Sequence, residues 1–216
     1  LGYYTVDGSN IALADPWEGA VSEVQAGEGF YTVDSNDAAA DSGAVGVVQA
    51  RSGYYTVSAL GGTTATAVGA VDEAEAAAGY YTVDSNDAAK DGGASDVEPC
   101  AAGYYSSAGA TVCTQVTAGY RATNGAGGDA TSAAIAQEIC TVGTFSAAGA
   151  TTCTTAQLGY YTVDGSNNAL ADPWQGAVSE AQAGEGFYTV DSNGEAADSG
   201  AVGVVQAQSG YYTVSA

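Results

Sequence analysis

The sequence has no histidine and no methionine, two tryptophans, three prolines and only three basic residues (Arg51, Lys90 and Arg121) in 216 positions. Each shortage excludes something. Without histidine, the commonest general base and metal ligand is gone. Three cations against 25 Asp and Glu leave a formal charge of −22. No basic patch can therefore displace counterions from nucleic acid, and anionic membranes repel the chain. No apolar run approaches the ~20 residues of a membrane-spanning helix. There is no Asn-x-Ser/Thr sequon, so N-glycosylation is not expected. No signal peptide is visible, and Leu1 falls in mid-pattern, so the segment reads as a piece of something longer. Hydrophobic residues make up 46 % of the chain, yet alanine dominates them. At about 25 cal/mol per Å2 such small side chains build no single deep core.

What the chain does have is repetition. A string of the type Gly-Tyr-Tyr-Thr-Val opens at Gly2, Gly29, Gly53, Gly79, Gly103, Gly119, Gly143, Gly159, Gly186 and Gly210. The intervals are irregular until the eight residues upstream are aligned: GAVSEVQA (19–26), GAVGVVQA (43–50), GAVDEAEA (69–76) and their counterparts, down to GAVGVVQA (200–207). Each block is followed by two residues and the next glycine, so only the span between string and block varies. Residues 1–59 and 158–216 align without gaps and differ at six positions, which sets a super-repeat of 157 residues containing seven units. The units run 1–28, 29–52, 53–78, 79–102, 103–118, 119–142 and 143–158, and 159–216 starts the second super-repeat.

The string is rich in aromatic and β-branched residues and the block is a second β-prone run, with turn chemistry between them. Each unit therefore reads as a β-hairpin whose loop alone changes length, at about 0.6 kcal/mol per doubling. Alternation puts the second aromatic and Val (Tyr31 and Val33) on one side and the first aromatic and Thr (Phe30 and Thr32) on the other. The second aromatic is expected to face the core; the competing reading is that both sides are half-buried. A lone hairpin is marginal in water, so the fold class is all-β: a tandem array of short hairpins forming an elongated rod. The glycine opening each string implies a positive φ or a close approach between units.

The four cysteines fall in CAAGYYSSAGATVC (100–113) and CTVGTFSAAGATTC (140–153), each spanning the shortest loop. This spacing is read as two hairpin staples, Cys100–Cys113 and Cys140–Cys153, in an oxidising, extracellular setting. A zinc site lacks both His and paired Cys-x2-Cys spacing. The pattern Cys-x-x-Gly-[Thr/Tyr]-[Tyr/Phe]-Ser…Gly-Ala-Thr-x-Cys-Thr resembles the ephrin-receptor-like cysteine-rich repeat of large extracellular proteins, which also occurs in flagellar hair filaments (mastigonemes) of algae. The match covers 100–114 and 140–154; elsewhere Ala50, Ala76 or Val116 fills the first Cys position and Val47 or Glu73 the second. The resemblance implies a structural, disulfide-pinned extracellular rod and carries over no catalytic residue.

Oxygen-rich loops recur at Asp34, Asn36, Asp37 and Asp41, at Asp84, Asn86, Asp87 and Asp91, and in altered form at Asp191, Asn193, Glu195 and Asp198. Calcium takes such ligands, but the EF-hand spacing fails, and Asx turns need no metal. Asp15-Pro-Trp17 and Asp172-Pro-Trp174 mark the longest loops, where the indole either caps the hairpin or contacts a sugar or partner. Thr63, Thr64, Thr66, Thr151 and Thr152 are candidates for O-linked glycans. No nucleophile–base–orienter set stands out, so no enzyme is expected. Calcium is the one cofactor in view, and self-association into a filament the expected partnership. The functional expectation is a structural subunit of an extracellular fibre or surface appendage, against a repetitive adhesin or receptor stalk presenting a glycan- or cell-binding module.

Overall fold

The computed structural model describes residues 1–6, 9, 11, 12 and 22–209. Asp15-Pro-Trp17 and the string opening at Gly210 lie outside them. The described residues form eighteen short strands and no helix, so no helix among them is long and apolar enough to cross a membrane. Consecutive strands pair antiparallel into nine two-stranded hairpins. In chain order these are β1 (Tyr3–Val6) with β2 (Ser22–Gln25), β3 (Phe30–Val33) with β4 (Gly46–Gln49), β5 (Tyr54–Val57) with β6 (Asp72–Glu75), and β7 (Tyr80–Val83) with β8 (Asp96–Pro99). They continue with β9 (Tyr104–Tyr105) and β10 (Thr114–Gln115), β11 (Tyr120–Thr123) and β12 (Ala136–Ile139), and β13 (Thr144–Phe145) and β14 (Thr154–Thr155). The last two are β15 (Tyr160–Val163) with β16 (Ser179–Gln182) and β17 (Phe187–Val190) with β18 (Gly203–Gln206). The fold class expected from sequence, an all-β array of tandem hairpins, is the one observed.

The chain divides into two compact units, Leu1–Cys100 with Ser106–Cys113, and Ala101–Tyr105 with Thr114–Ala216. Within each, the eight-residue block splits in two. Its last half is the second strand, as in the register Tyr31↔Val48 and Thr32↔Val47. Its first three residues bond to three different hairpins. In the third hairpin, Gly69 donates its N–H to Ala26 O, two hairpins back, at 2.8 Å. Ala70 O accepts from Thr32 N, one hairpin back, at 3.1 Å, and Val71 N donates to Val57 O of its own hairpin at 3.0 Å. The same set recurs at Gly93, Ala94 and Ser95, and in the second unit at Gly200, Ala201 and Val202. This is why the block has a fixed length while the loop does not: three simultaneous bonds leave no room for insertion.

The same bonds dictate residue type. The opening glycines have φ between +70° and +89°, a region closed to most L residues. A Cβ at Gly29 would lie 2.0 Å from Gly93 O, and one at Gly143 would lie 2.0 Å from Gly200 O. Both reasons for glycine foreseen in the sequence therefore operate together. The block alanines Ala44, Ala70, Ala94, Ala134, Ala177 and Ala201 are fully or almost fully buried, because the neighbouring hairpin crosses directly over them. A small side chain is the requirement there. Ala133 departs from the pattern, holding φ +49° where the other described blocks have glycine.

The assignment of faces needs correction. The Val of each string is buried, as at Val33, Val57, Val83 and Val163, but so is the Thr before it, at Thr32, Thr56, Thr82 and Thr162. The second aromatic is fully buried only at Tyr55; Tyr31, Tyr81 and Tyr161 are half-buried and Tyr188 is exposed. Two-sided burial follows from the loop. After the turn it runs back beside the first strand, with bridges Val33↔Ala39, Val83↔Ala89 and Val190↔Ala196. The returning segment covers the Thr side, and Thr82 Oγ1 donates to Lys90 O at 2.6 Å. The longer loops are thus part of the packing, not spacers.

Thr162 is the exception: its buried hydroxyl finds no partner among the described residues. A satisfied buried hydroxyl contributes about 1 kcal/mol, and an orphaned one costs about 1–3 kcal/mol. Thr82→Val is therefore expected to lower stability by about 1–3 kcal/mol, since Lys90 O is left unsatisfied, whereas Thr162→Val is neutral or stabilising. Urea unfolding of the two variants measures the difference.

Candidate functional site

With no ligand in view, the sites with chemistry to them are the junctions between hairpins. At the junction of the second and third hairpins, the N–H of Arg51 donates to Glu73 Oε2 at 2.8 Å, and the Arg51 guanidinium pairs with Glu73 Oε1. It also lies over the Tyr54 ring, 4.2 Å from the centroid, a favourable cation–π placement. Glu73 raises the Arg51 pKa above its ordinary value, first by hydrogen bonding and then by its charge.

The same clasp recurs with other side chains. Thr117 N donates to Gln137 Oε1 at 2.9 Å, and Gln157 N to Glu180 Oε2 at 2.8 Å. Glu73, Gln137 and Glu180 all occupy the fifth position of a block. Cys113 and Cys153 occupy that position too, and their partners Cys100 and Cys140 end the preceding blocks. Both pairs form disulfides, each with Cα atoms 5.7 Å apart. The pairing is as expected, but the staple is better placed: each bond joins the end of one hairpin to the next, where elsewhere a carboxylate or amide receives a backbone N–H. A disulfide requires an oxidising environment.

A second bond reaches further. Glu28, between the first and second hairpins, accepts from Ser85 N at 2.6 Å and from Ser95 Oγ at 3.0 Å. The Ser85 N–H, then the Ser85 and Ser95 side chains, hold its carboxyl below the ordinary 4.5. Arg121, which stands where other strings have an aromatic, donates to Glu138 Oε2 at 2.8 Å and to Gly127 O at 3.0 Å, and pairs with Asp129.

The oxygen-rich loops are built around one carboxylate each. Asp34 Oδ1 accepts from Asn36 N at 2.7 Å and Ala38 N at 3.1 Å. Asp84 repeats this with Asn86 N and Ala88 N, Asp164 with Ser166 N and Asn168 N, and Asp191 with Asn193 N and Glu195 N. Asp37 and Asp87 sit at φ +59° and +61°, as do Asn167 and Gly194 at the equivalent step with φ +65° and +81°. That exchange of Asp, Asn and Gly is the mark of a left-handed turn position. Asn36 and Asn86 contribute backbone N–H groups, and Asp91 Oδ1 accepts from Ser52 Oγ at 2.5 Å. Among the described residues no three His, Cys, Asp or Glu side chains converge as a metal site would require.

Those N–H donors hold the Asp34, Asp84, Asp164 and Asp191 carboxyls below the ordinary 3.8. A depressed folded-state pKa contributes stability that is complete above the unfolded value and lost as pH falls through the folded one. The melting temperature is therefore expected to fall as pH drops below 3.8, with Glu28 adding to the loss from 4.5 downward. Replacing the four aspartates by Asn, which keeps the acceptor oxygen but does not titrate, should flatten that acid limb in thermal melts.

Of the other candidates, Trp174 is half-buried in its loop, its backbone N–H donating to Ala171 O at 2.8 Å. Thr63, Thr64 and Thr152 are exposed; Thr66 and Thr151 are half-buried, and Thr66 Oγ1 donates to Val68 O at 2.8 Å. The residues that sequence reasoning missed are the clasps Glu73, Gln137, Glu180 and Glu28. The signal for the first three was present: they share a block position with the cysteines. No protein-family model matches the chain, and a search of curated proteins finds no match.

Proposed function

We propose that the chain is a structural segment of an extracellular fibre or cell-surface appendage, built to carry length and tension rather than to perform catalysis. One observation supports this above the others: the blocks opening at Gly69, Gly93, Gly109, Gly149, Gly176 and Gly200 each bond the hairpin they belong to and the two before it. Stability is then a property of the series, and the same contact is repeated as the chain lengthens. The disulfides reinforce two junctions per super-repeat, as the resemblance to ephrin-receptor-like repeats implies. The acidic surface keeps neighbouring arrays soluble, and O-linked glycans on Thr63, Thr64 and Thr152 would add to that shield.

Negative-stain microscopy of the secreted material is the test. Filaments with an axial repeat commensurate with the 157-residue super-repeat are the expected result. A monodisperse monomer with a saturable glycan affinity would favour an adhesin or receptor stalk instead. Calcium is tested apart from this: a chelator that lowers the melting temperature assigns the Asp34 and Asp84 loops an ion, and one that leaves it unchanged leaves them as turns.

A further inference from the structure

We infer that Asn124 is a self-modification site, its side-chain amide converted to a carboxylate in the folded chain by the backbone nitrogen of Gly125. Asn193, the other asparagine followed by glycine, is protected. The inference is independent of the fibre reading.

The loop after β11 departs from its siblings at the residue that organises it. Asn124 stands directly after the string, where Asp34, Asp84, Asp164 and Asp191 stand in theirs. As in those loops, its Oδ1 accepts the N–H two residues on, here from Ala126 at 3.1 Å. The ring closed by that bond contains both reacting atoms, Asn124 Cγ and Gly125 N. A carboxylate in this place resists attack by a nitrogen; a neutral amide does not. The Ala126 N–H also stabilises the negative charge that gathers on Oδ1 during attack. Gly125 has no side chain to shield its nitrogen, and its N–H donates to the Thr123 hydroxyl at 3.3 Å. Gly128 leaves room for the departing group, since a Cβ there would lie 3.0 Å from Asn124 Nδ2. Arg121, bonded to Gly127 O at 3.0 Å, brings one of the chain's three cations to this loop. Asn124 is exposed, so water reaches it.

The chemistry needs only water and hydroxide. Hydroxide takes the Gly125 amide proton, and the nitrogen attacks Asn124 Cγ. The N–Cγ bond forms, the Cγ–Nδ2 bond breaks, and Nδ2 leaves as ammonia with a proton from water. Water then opens the cyclic imide. Breaking the new N–Cγ bond gives aspartate, the residue that the sibling loops already have. Breaking the old main-chain bond gives isoaspartate, which lengthens the backbone inside the turn that Asn124 N closes on Gly128 O at 3.1 Å. Net, water enters and ammonia leaves. Asn193 is held differently. The Gly194 N–H is bound to Asp191 O at 3.1 Å, and Asn193 Nδ2 donates to Asp191 Oδ2 at 3.3 Å. The Asp191 carboxylate opposes both loss of the Gly194 proton and negative charge on the Asn193 amide.

Peptide mass spectrometry after storage in mildly alkaline buffer is the test. The chain is kept folded in one arm and unfolded in urea, with its disulfides reduced, in the other. In the folded arm Asn124 is expected to turn into aspartate and isoaspartate while Asn193 stays an amide; in urea both convert. Thr123→Val removes the acceptor of the Gly125 N–H. Valine is the buried residue at this string position in Val33, Val83 and Val163, so circular dichroism and melting should match the parent. Conversion at Asn124 should nevertheless fall several-fold in that variant, and Thr123→Ser should restore it. Asn124 unchanged in the folded arm, or Asn193 converting as fast there, overturns the inference. Equal conversion in Thr123→Val overturns the part given to the Thr123 hydroxyl.

Discussion

Gly143→Ala is expected to unfold the second compact unit or cost it at least about 4 kcal/mol, while Gly159→Ala costs about 1–2 kcal/mol. The two residues are matched. Both open a string, with φ +74° and +77°, so both variants carry the same penalty for an L residue in left-handed backbone. They differ in what the new methyl meets: Gly200 O at 2.0 Å in one case and, among the described residues, nothing within 4 Å in the other. A carbonyl already committed to the neighbouring stack cannot move aside as a flexible side chain can. The hairpins must separate, and Gly200 N loses its bond to Ala156 O. Chemical denaturation of both variants gives the cost of disrupting one stacking contact by subtraction. Equal losses would mean that the close approach carries no weight.

Reduction of the disulfides should have the next largest effect. Each bridge closes 13 residues of sequence, for which chain entropy gives about 3 kcal/mol. Cys100→Ser with Cys113→Ser, and separately Cys140→Ser with Cys153→Ser, should each lose about that much in urea unfolding. The loss should be felt beyond the short hairpin itself. Cys100 N closes its own hairpin on Gly79 O at 2.8 Å, and Cys140 O accepts from Gly176 N, two hairpins on, at 3.0 Å, so each staple sits on a residue whose backbone is already bonded, in the second case to another hairpin. Protection from hydrogen exchange should therefore fall in the adjoining hairpins, not only between the mutated positions. A loss confined to the short loops would show that the junctions act independently.

Much of the architecture was legible because it is periodic. The string Phe30–Val33 and the strand Gly46–Gln49 could be recognised as a pair from β-prone residues around turn chemistry, and the cysteine pairing followed from spacing. What could not be read was the use of Gly43-Ala44-Val45 and its copies. Those residues appear as the start of a strand, but in copies such as Gly69-Ala70-Val71 their hydrogen bonds go to three hairpins, and backbone bonding leaves no trace in side-chain alternation. The face assignment was incomplete for the same reason: Thr32 looks solvent-facing until Ala38–Ala40 fold back over it. The clasps were hidden by chemistry. A glutamate at position 73 of an acidic chain looks like one charge among 25, and only its alignment with Cys113 shows that the position is a joint.

Seven is an odd number, and the block glycines reach back two hairpins. Within each compact unit the hairpins therefore form two interleaved threads, each linked to its second neighbour by paired glycines. The two short hairpins, fifth and seventh in order, belong to the same thread. Carried into the next super-repeat, that rule moves them to the other thread, because seven steps change parity. Reinforcement would alternate from strand to strand of the weave, and two super-repeats, not one, would restore an identical surrounding.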